Sequence, residues 1–288
     1  MHRIGEWLND PADPARVLFV QGANPVVMCP DQHAVLDAFA RDDVFTVVHD
    51  QVMTDTARYA DVVLPATTHY EADDLAGSYG SFAILPVNAV IDRVGESRTN
   101  DEVAAALGAR LSVDLTAPIS GIDRESLITD GGDLGPRVVR DRTVQFVDSS
   151  PTDGKARLAQ PEVPSYHPIE SAYPLALITP ASSKLINSMF GEFQSPDPVI
   201  RLNPGDARSR SLAPGDQVRV FNDLGSLDLG CVIDADLRPG LVAMPKGIWL
   251  RRYGAQNVGI NALIPATADD LAGGACFNDA RVEVERLA

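Results

Sequence analysis

Apolar residues in the first third of the chain fall into short unbroken runs, separated by stretches with helical spacing. The runs 17–20, 45–48 and 61–64 are bounded by QGANPVVMCP, by an acidic DQ and by Pro65. Runs of this length, punctuated by Gly, Pro and Asp, predict buried strands. Between the first two, Pro30 pre-sets a helix start, and Ala34, Val35, Ala38 and Phe39 recur at helical spacing through Arg41. The segment 54–59 reads as a short helix, and Thr99 with Glu102 matches a capping box opening a helix that runs to Leu111. Alternation of this kind predicts an α/β fold with part of a doubly wound parallel sheet.

From Ser112 to Tyr173 the periodicity fades, and Pro, Gly, Ser and Asp accumulate in ITDGGDLGPR and PTDGKARLAQPEVPSYHP. A surface linker is expected there. After Pro174 the texture changes to short β-rich runs at 175–178, 199–202, 218–221, 226–233, 241–244 and 281–284. PGD at 214–216, DLGS at 223–226 and RPG at 238–240 mark tight turns, while Asn203 and Pro204 cap and begin a short helix. Six strands so spaced predict a small closed barrel. The expected organisation is therefore an α/β domain over 1–112, a linker over 113–173 and a β-barrel domain over 174–288.

Composition narrows the functional classes. A formal charge of -16 opposes nucleic acid, because a phosphate-binding face would have to emerge against the field of the whole molecule. The absence of a membrane-length apolar stretch or a signal pattern leads to the expectation of a soluble, cytoplasmic chain with no membrane partner. Cys29, Cys231 and Cys276 are far apart and form no CxxC pair, so no iron–sulfur loop or zinc knuckle is expected from them.

Candidate chemistry begins at GANP, 22–25, directly after a predicted strand, where an open α/β sheet binds its ligands. Gly22 permits close backbone approach, Asn24 offers a donor and an acceptor, and Pro25 fixes the turn; an ordinary strand-to-helix turn has the same composition. Asp50 follows the next strand, where nucleotide-binding sheets place a carboxylate on a ribose or base edge, or else it is a solvated turn acid. His69 beside Glu71 reads as a surface pair, and Lys184, Lys246, Arg251 and Arg252 as charges spread for solubility. Trp249 reads as core. Ser182 has no nearby His and acid in a hydrolase pattern, which removes nucleophilic catalysis.

The run TDTARYADVVLPATTHYEADD, 54–74, together with VLFVQGANP and VVHD, resembles the molybdopterin oxidoreductase superfamily. Its pattern is a GxNP loop, a strand ending in Asp, then TxTAxxADVVLP and an acidic residue. Later segments agree in order: ITPASSKLINSMFGE, LNPGDARSRSLAPGDQVRVFNDLGSL, RPGLVAMPKGIW and NALIPATADDLAGGACFNDARVEV. These are similar to the family's terminal dinucleotide-binding domain, a double-psi β-barrel. The resemblance implies that a molybdopterin guanine dinucleotide, carrying molybdenum or tungsten, is held between domains. By position it implies that Gly22, Asn24 and Pro25 line a dinucleotide site and that Asp50, or alternatively Asp61, accepts the guanine N–H protons. Thr54 and Thr56 would serve a phosphate at a helix start. Thr179, Ser182, Ser183, Asn187 and Ser188 would form the pterin-contacting loop, with Asn261 and Asn278 as later polar positions.

The residues that ligate the metal in this family, and its Cys-rich loop for an iron–sulfur cluster, have no counterpart in the matched pattern. The expectation is that this is the cofactor-holding carboxy-terminal part of an oxidoreductase acting on a small molecule such as formate or nitrate. Its partner would be the amino-terminal portion or catalytic subunit, which would carry any iron–sulfur cluster. A non-catalytic cofactor-binding or assembly module is the alternative. A nicotinamide-dependent dehydrogenase is a weaker one, since no GxGxxG turn is present.

Overall fold

The computed structural model describes residues 2–12, 14–77, 84–115, 125, 128, 171–269 and 273–287. The expected linker lies, from 116 to 170, almost entirely outside them. The chain forms two compact units, one joining Met1–Ala66 to Ser171–Ala288 and the other comprising Thr67–Glu170. The amino-terminal sheet and the carboxy-terminal barrel thus share one unit.

The sheet has three parallel strands in the order β1 (Val17–Gln21), β2 (Phe45–Asp50), β3 (Val62–Pro65). Helices α1 (Ile4–Leu8), α2 (Pro25–Met28) and α3 (Gln32–Phe39) accompany it. Leu8, Val35 and Phe39 from α1 and α3 meet Val20 and Val48 in one apolar cluster, which α2 joins through Val26 and Val27. The expected start of α3 at Pro30 moves to Gln32, because Asp31 adopts a left-handed φ of 47° and its carboxylate accepts from the Ala34 N–H. QGANPVVMCP contains a helical turn rather than a plain loop: Pro25 occupies its first turn, where a fixed φ and a missing N–H cost nothing.

In the second unit an antiparallel pair, β4 (Asp74–Gly77) and β5 (Ile84–Val87), precedes α4 (Asn100–Leu111). Both halves of the capping box at Thr99 and Glu102 are formed.

Strands β6 (Leu175–Ile178), β7 (Val199–Leu202), β8 (Gln217–Asn222), β9 (Gly225–Ile233), β10 (Leu241–Ala243) and β11 (Arg281–Arg286) close into a barrel. The order around it is β10-β6-β11-β8-β9-β7, with β6–β10 and β7–β9 parallel and the remaining pairs antiparallel. This is the double-psi barrel expected. Strict alternation points Val218 and Val220 of β8 and Leu227, Leu229 and Cys231 of β9 inward. Each fully buried Leu or Val contributes about 1.5–3 kcal/mol. Between β7 and β8, α5 (Pro204–Ser209) starts at Asn203, whose Oδ1 accepts from the Gly205 N–H at 2.7 Å. Among the described residues no helix is long and apolar enough to cross a membrane.

Candidate functional site

The GANP turn leaves β1 at its carboxyl end. Gly22 takes a φ of 55°, and its N–H donates to the His49 carbonyl of β2. Asn24 is buried, and its Oδ1 accepts from both the Thr56 N–H (3.1 Å) and the Thr56 Oγ1 (2.8 Å). The Thr56 hydroxyl accepts in turn from the Val26 N–H at 3.1 Å, and Thr54 Oγ1 accepts from the Ala57 N–H. Thr56 is fully buried, so its hydroxyl shapes the turn instead of reaching outward. Pro25 and Thr54 are likewise buried within it.

The barrel holds this turn from below. A one-turn helix leaves its last carbonyls without intrahelical partners. In α2, Val26 O receives Gln32 Nε2 (2.6 Å) and Val27 O receives Asn261 Nδ2 (2.8 Å). Gln32 Oε1 also accepts from the Gly259 N–H, and the Asp31 N–H donates to Ile264 O. Asp55, one residue from Thr56, accepts from the Leu250 N–H at 3.0 Å. Burial pushes the Asp55 carboxyl above its ordinary range, an effect moderated by that N–H and by Arg58 and Arg251.

Asp50 closes β2 at the same sheet edge, half-buried, with Oδ1 accepting from the Gln51 N–H at 2.7 Å. Desolvation raises its pKa, and the negative charge of Glu192 raises it further, against the lowering pull of the Gln51 and Val52 amides and His49. Asp61 is not brought to this edge. It precedes β3, and its Oδ2 accepts from the Thr46 N–H (2.7 Å) near the start of β2. At about 3.3 Å per residue that is roughly 13 Å of strand from Asp50. Its carboxylate sets β3 in register at the opposite end of the sheet.

On the barrel side, Thr179 follows β6, buried, with its N–H donating to Asn278 Oδ1 at 3.0 Å. Ser182 Oγ accepts from the Lys184 and Leu185 N–H groups, while Ser183 and Asn187 are exposed. Asn187 and Phe190 take left-handed φ values of 54° and 67°. What secures this loop is a set of residues to which sequence reasoning gave no such role. Trp249, buried as expected, donates Nε1 to the Ser188 carbonyl at 2.6 Å. Arg251 lies 4.7 Å over the Trp249 ring and donates to the Gly191 carbonyl at 2.8 Å, so it is not a dispersed surface charge. A Cβ on Gly247 would overlap the Asn187 carbonyl, which makes glycine obligatory at that approach.

Glu71 is also not half of a surface pair. It is buried and accepts from Thr68 N–H and Oγ1, the Val94 N–H and Ser97 Oγ, bonds that hold its carboxyl down at about 2. It clasps loops within the second unit.

Asn24 Nδ2, Thr179 Oγ1 and Asn261 Oδ1 are buried polar atoms with no hydrogen-bond partner among the described residues. Leaving such a group unsatisfied costs about 1–3 kcal/mol. One donor, one acceptor and one hydroxyl, all on connecting segments outside the strands, fit a ligand with both donors and acceptors, as a pterin dinucleotide has.

Comparison with known proteins agrees with this chemistry. A family model described as "Molybdopterin oxidoreductase" matches residues 6–110, and one described as "Molydopterin dinucleotide binding domain" matches 175–281. The chain is 30% identical to the probable oxidoreductase YoaE of Bacillus subtilis, covering 100% of this chain and 46% of that protein. It is 25% identical to the dimethyl sulfoxide/trimethylamine N-oxide reductase of Cereibacter sphaeroides, covering 95% of this chain and 41% of that protein. The solved structure of acetylene hydratase from Pelobacter acetylenicus shares the fold, with a TM-score of 0.73 and 19% identity, covering 97% of this chain and 45% of that one. The chain thus spans less than half the length of these relatives.

Proposed function

The chain belongs to the molybdopterin oxidoreductase superfamily, and from that membership we propose that it holds a molybdopterin guanine dinucleotide for redox chemistry on a small molecule. The observation that carries this reading is the set of unpartnered buried atoms on Asn24, Thr179 and Asn261. When bound, the cofactor supplies two-electron chemistry at its metal, molybdenum or tungsten; the protein's share is binding, orientation and electrostatics. We place the metal ligand and any iron–sulfur cluster outside this chain, in a protein partner, and the assembled enzyme in the cytoplasm. The names of relatives direct the first assays to dimethyl sulfoxide and trimethylamine N-oxide, with formate and nitrate beside them.

Asp50 accepts the adjacent N–H donors of guanine, a charge-assisted pairing that contributes about 1.5–3 kcal/mol. In the complete enzyme, Asp50→Ala should lower bound nucleotide by roughly tenfold or more, since about 1.4 kcal/mol is one decade of affinity. The measurement is GMP released on denaturation, per protein. Wild-type GMP in a folded Asp50→Ala variant would return Asp50 to a plain turn residue. The pairing needs the ionised carboxylate, and desolvation raises its pKa. Acidification should therefore weaken retention at a higher pH than an ordinary aspartate would, and Asp50→Asn should flatten that profile.

A further inference from the structure

Asp50 is not alone as a carboxylate at the ligand edge. Glu192, on the barrel loop, is part-exposed, and among the described residues its side chain makes neither a hydrogen bond nor an ion pair. Its backbone is nevertheless held from both sides. Before it, Gly191 is buried, its carbonyl accepts from Arg251, and a Cβ there would overlap the Trp249 ring. Beyond it, the Phe193 and Gln194 N–H groups both donate to the Phe190 carbonyl at 3.1 Å, which closes a tight turn with Glu192 inside it.

The segment that grips this turn also grips the end of the sheet. The Leu250 N–H donates to the Asp55 carboxylate, and the next residue, Arg251, donates to the Gly191 carbonyl. Adjacent residues of one segment therefore tie the loop that carries Glu192 to the turn that follows Asp50. The charge of Glu192 accordingly acts on Asp50. Two carboxylates within each other's field repel unless donors come between them, and an ionised carboxylate can only accept. At the same strand ends, on the turn that follows β1, Asn24 Nδ2 is buried and unpartnered. Both observations call for a polar ligand, and the acids call for one rich in N–H donors.

Guanine carries a ring N1–H and, beside it, an amino group on C2 with an N–H on each side. A single carboxylate takes N1–H and the nearer amino N–H as a bidentate pair, which leaves the farther amino N–H without an acceptor. We propose that Glu192 accepts this farther N–H, so that Asp50 holds the base and Glu192 selects one bearing a 2-amino group. The proposal rests on the reading of Asp50 as the guanine acceptor. It adds the means by which guanine is told from a purine that has the same N1–H but no amino group. A site built to bond a group rejects the analogue lacking it, because the site's own acceptor then goes unpaired.

The test is calorimetric titration of the full chain, without divalent cations, with GDP and with IDP, which differs only in lacking the amino group. A hydrogen bond to a charged group is worth a decade of affinity, so the wild-type chain should bind GDP about tenfold or more tighter than IDP. Glu192→Ala should bring GDP to the level of IDP and leave IDP unchanged, while melting like wild type. Glu192→Gln keeps an acceptor oxygen without the charge and should retain part of the preference. Asp50→Ala should weaken both nucleotides, since both carry N1–H. If Asp50→Ala weakens both but the wild-type chain binds GDP and IDP alike, or Glu192→Ala weakens both equally or neither, the role of Glu192 is overturned and that of Asp50 stands. If the chain binds neither nucleotide, or Asp50→Ala binds both like wild type, the guanine reading falls and this proposal falls with it.

Discussion

The two segments at the ligand edge are held in shape by opposite means. The GANP turn is fixed by hydrogen bonds: Asn24 Oδ1, Thr56 and the Val26 N–H form a buried chain that leaves only Asn24 Nδ2 unpartnered, and Gln32 and Asn261 complete the carbonyls of α2. The barrel loop at 186–191 is fixed from outside. Asn187 and Phe190 sit at left-handed φ, several of its apolar side chains are exposed, and its position depends on Gly247 leaving room and Trp249 reaching one carbonyl. Left-handed φ at a bulky residue persists only where surrounding contacts impose it. One ligand loop is thus preorganised by polar satisfaction, and the other is strained and clamped.

The clamp is the more fragile of the two at a single position. Gly247→Ala drives a methyl into the Asn187 carbonyl, a backbone group that cannot yield without moving the loop, and it does so at a φ of 81°. Overpacking costs about 1–3 kcal/mol and left-handed φ for alanine about 1–2 more. We expect the largest loss of stability here, a shift in Trp249 fluorescence and rapid proteolysis within 186–193. A variant that melts and digests like wild type would show that the loop is not clamped at Gly247.

Thr56→Val tests the buried network at nearly constant shape. It leaves Val26 N–H without its acceptor and removes one of two donors from Asn24 Oδ1. An unsatisfied buried group costs about 1–3 kcal/mol, so a loss in that range is expected, and Thr56→Ser should recover most of it. Equal melting of the valine and serine variants would remove the hydroxyl from the explanation. Proteolysis within 186–193 should change little in either, since no hydrogen bond of the Thr56 hydroxyl reaches that loop directly.

This division also accounts for what was legible in the sequence. The barrel strands were, because alternation and turn residues are local: 175–178 and 199–202 coincide with β6 and β7. The polarity of the sheet was not legible: the apolar run 61–64 reads as the strand, which leaves Asp61 beside Asp50 as a candidate, whereas the structure starts β3 at Val62. Asp50 follows a strand and Asp61 precedes one, and in a parallel sheet only the former lies at the ligand edge; position within the motif alone does not separate them. The joints were not legible. Gln32 and Gly259 are 227 positions apart, and nothing in either neighbourhood announces their bond. Asn261, expected to meet the cofactor, divides its amide between Val27 O and an unpartnered Oδ1. Four residues of α2 are too few to show a period.

The smallest expected effect lies where the two regions touch, at Arg251. Its guanidinium anchors Gly191 and covers the Trp249 ring on the loop side, while its charge lies in the field of Asp55 on the turn side. Arg251→Lys keeps the charge and loses the planar fork, so it should cost about 0.5–1 kcal/mol and speed proteolysis of the loop only. Arg251→Met removes the charge as well. Burial already raises the Asp55 pKa above its unfolded value, and losing a nearby cation raises it further. A carboxyl whose folded pKa is raised binds its proton more tightly in the native state, so its cost is absent at acid pH and appears as pH rises through the unfolded and then the folded pKa. The methionine variant should therefore be closest to the lysine variant in acid and fall further behind it toward neutral pH. Melting curves of both across that range make the comparison, and parallel profiles would mean that Arg251 serves the barrel loop alone.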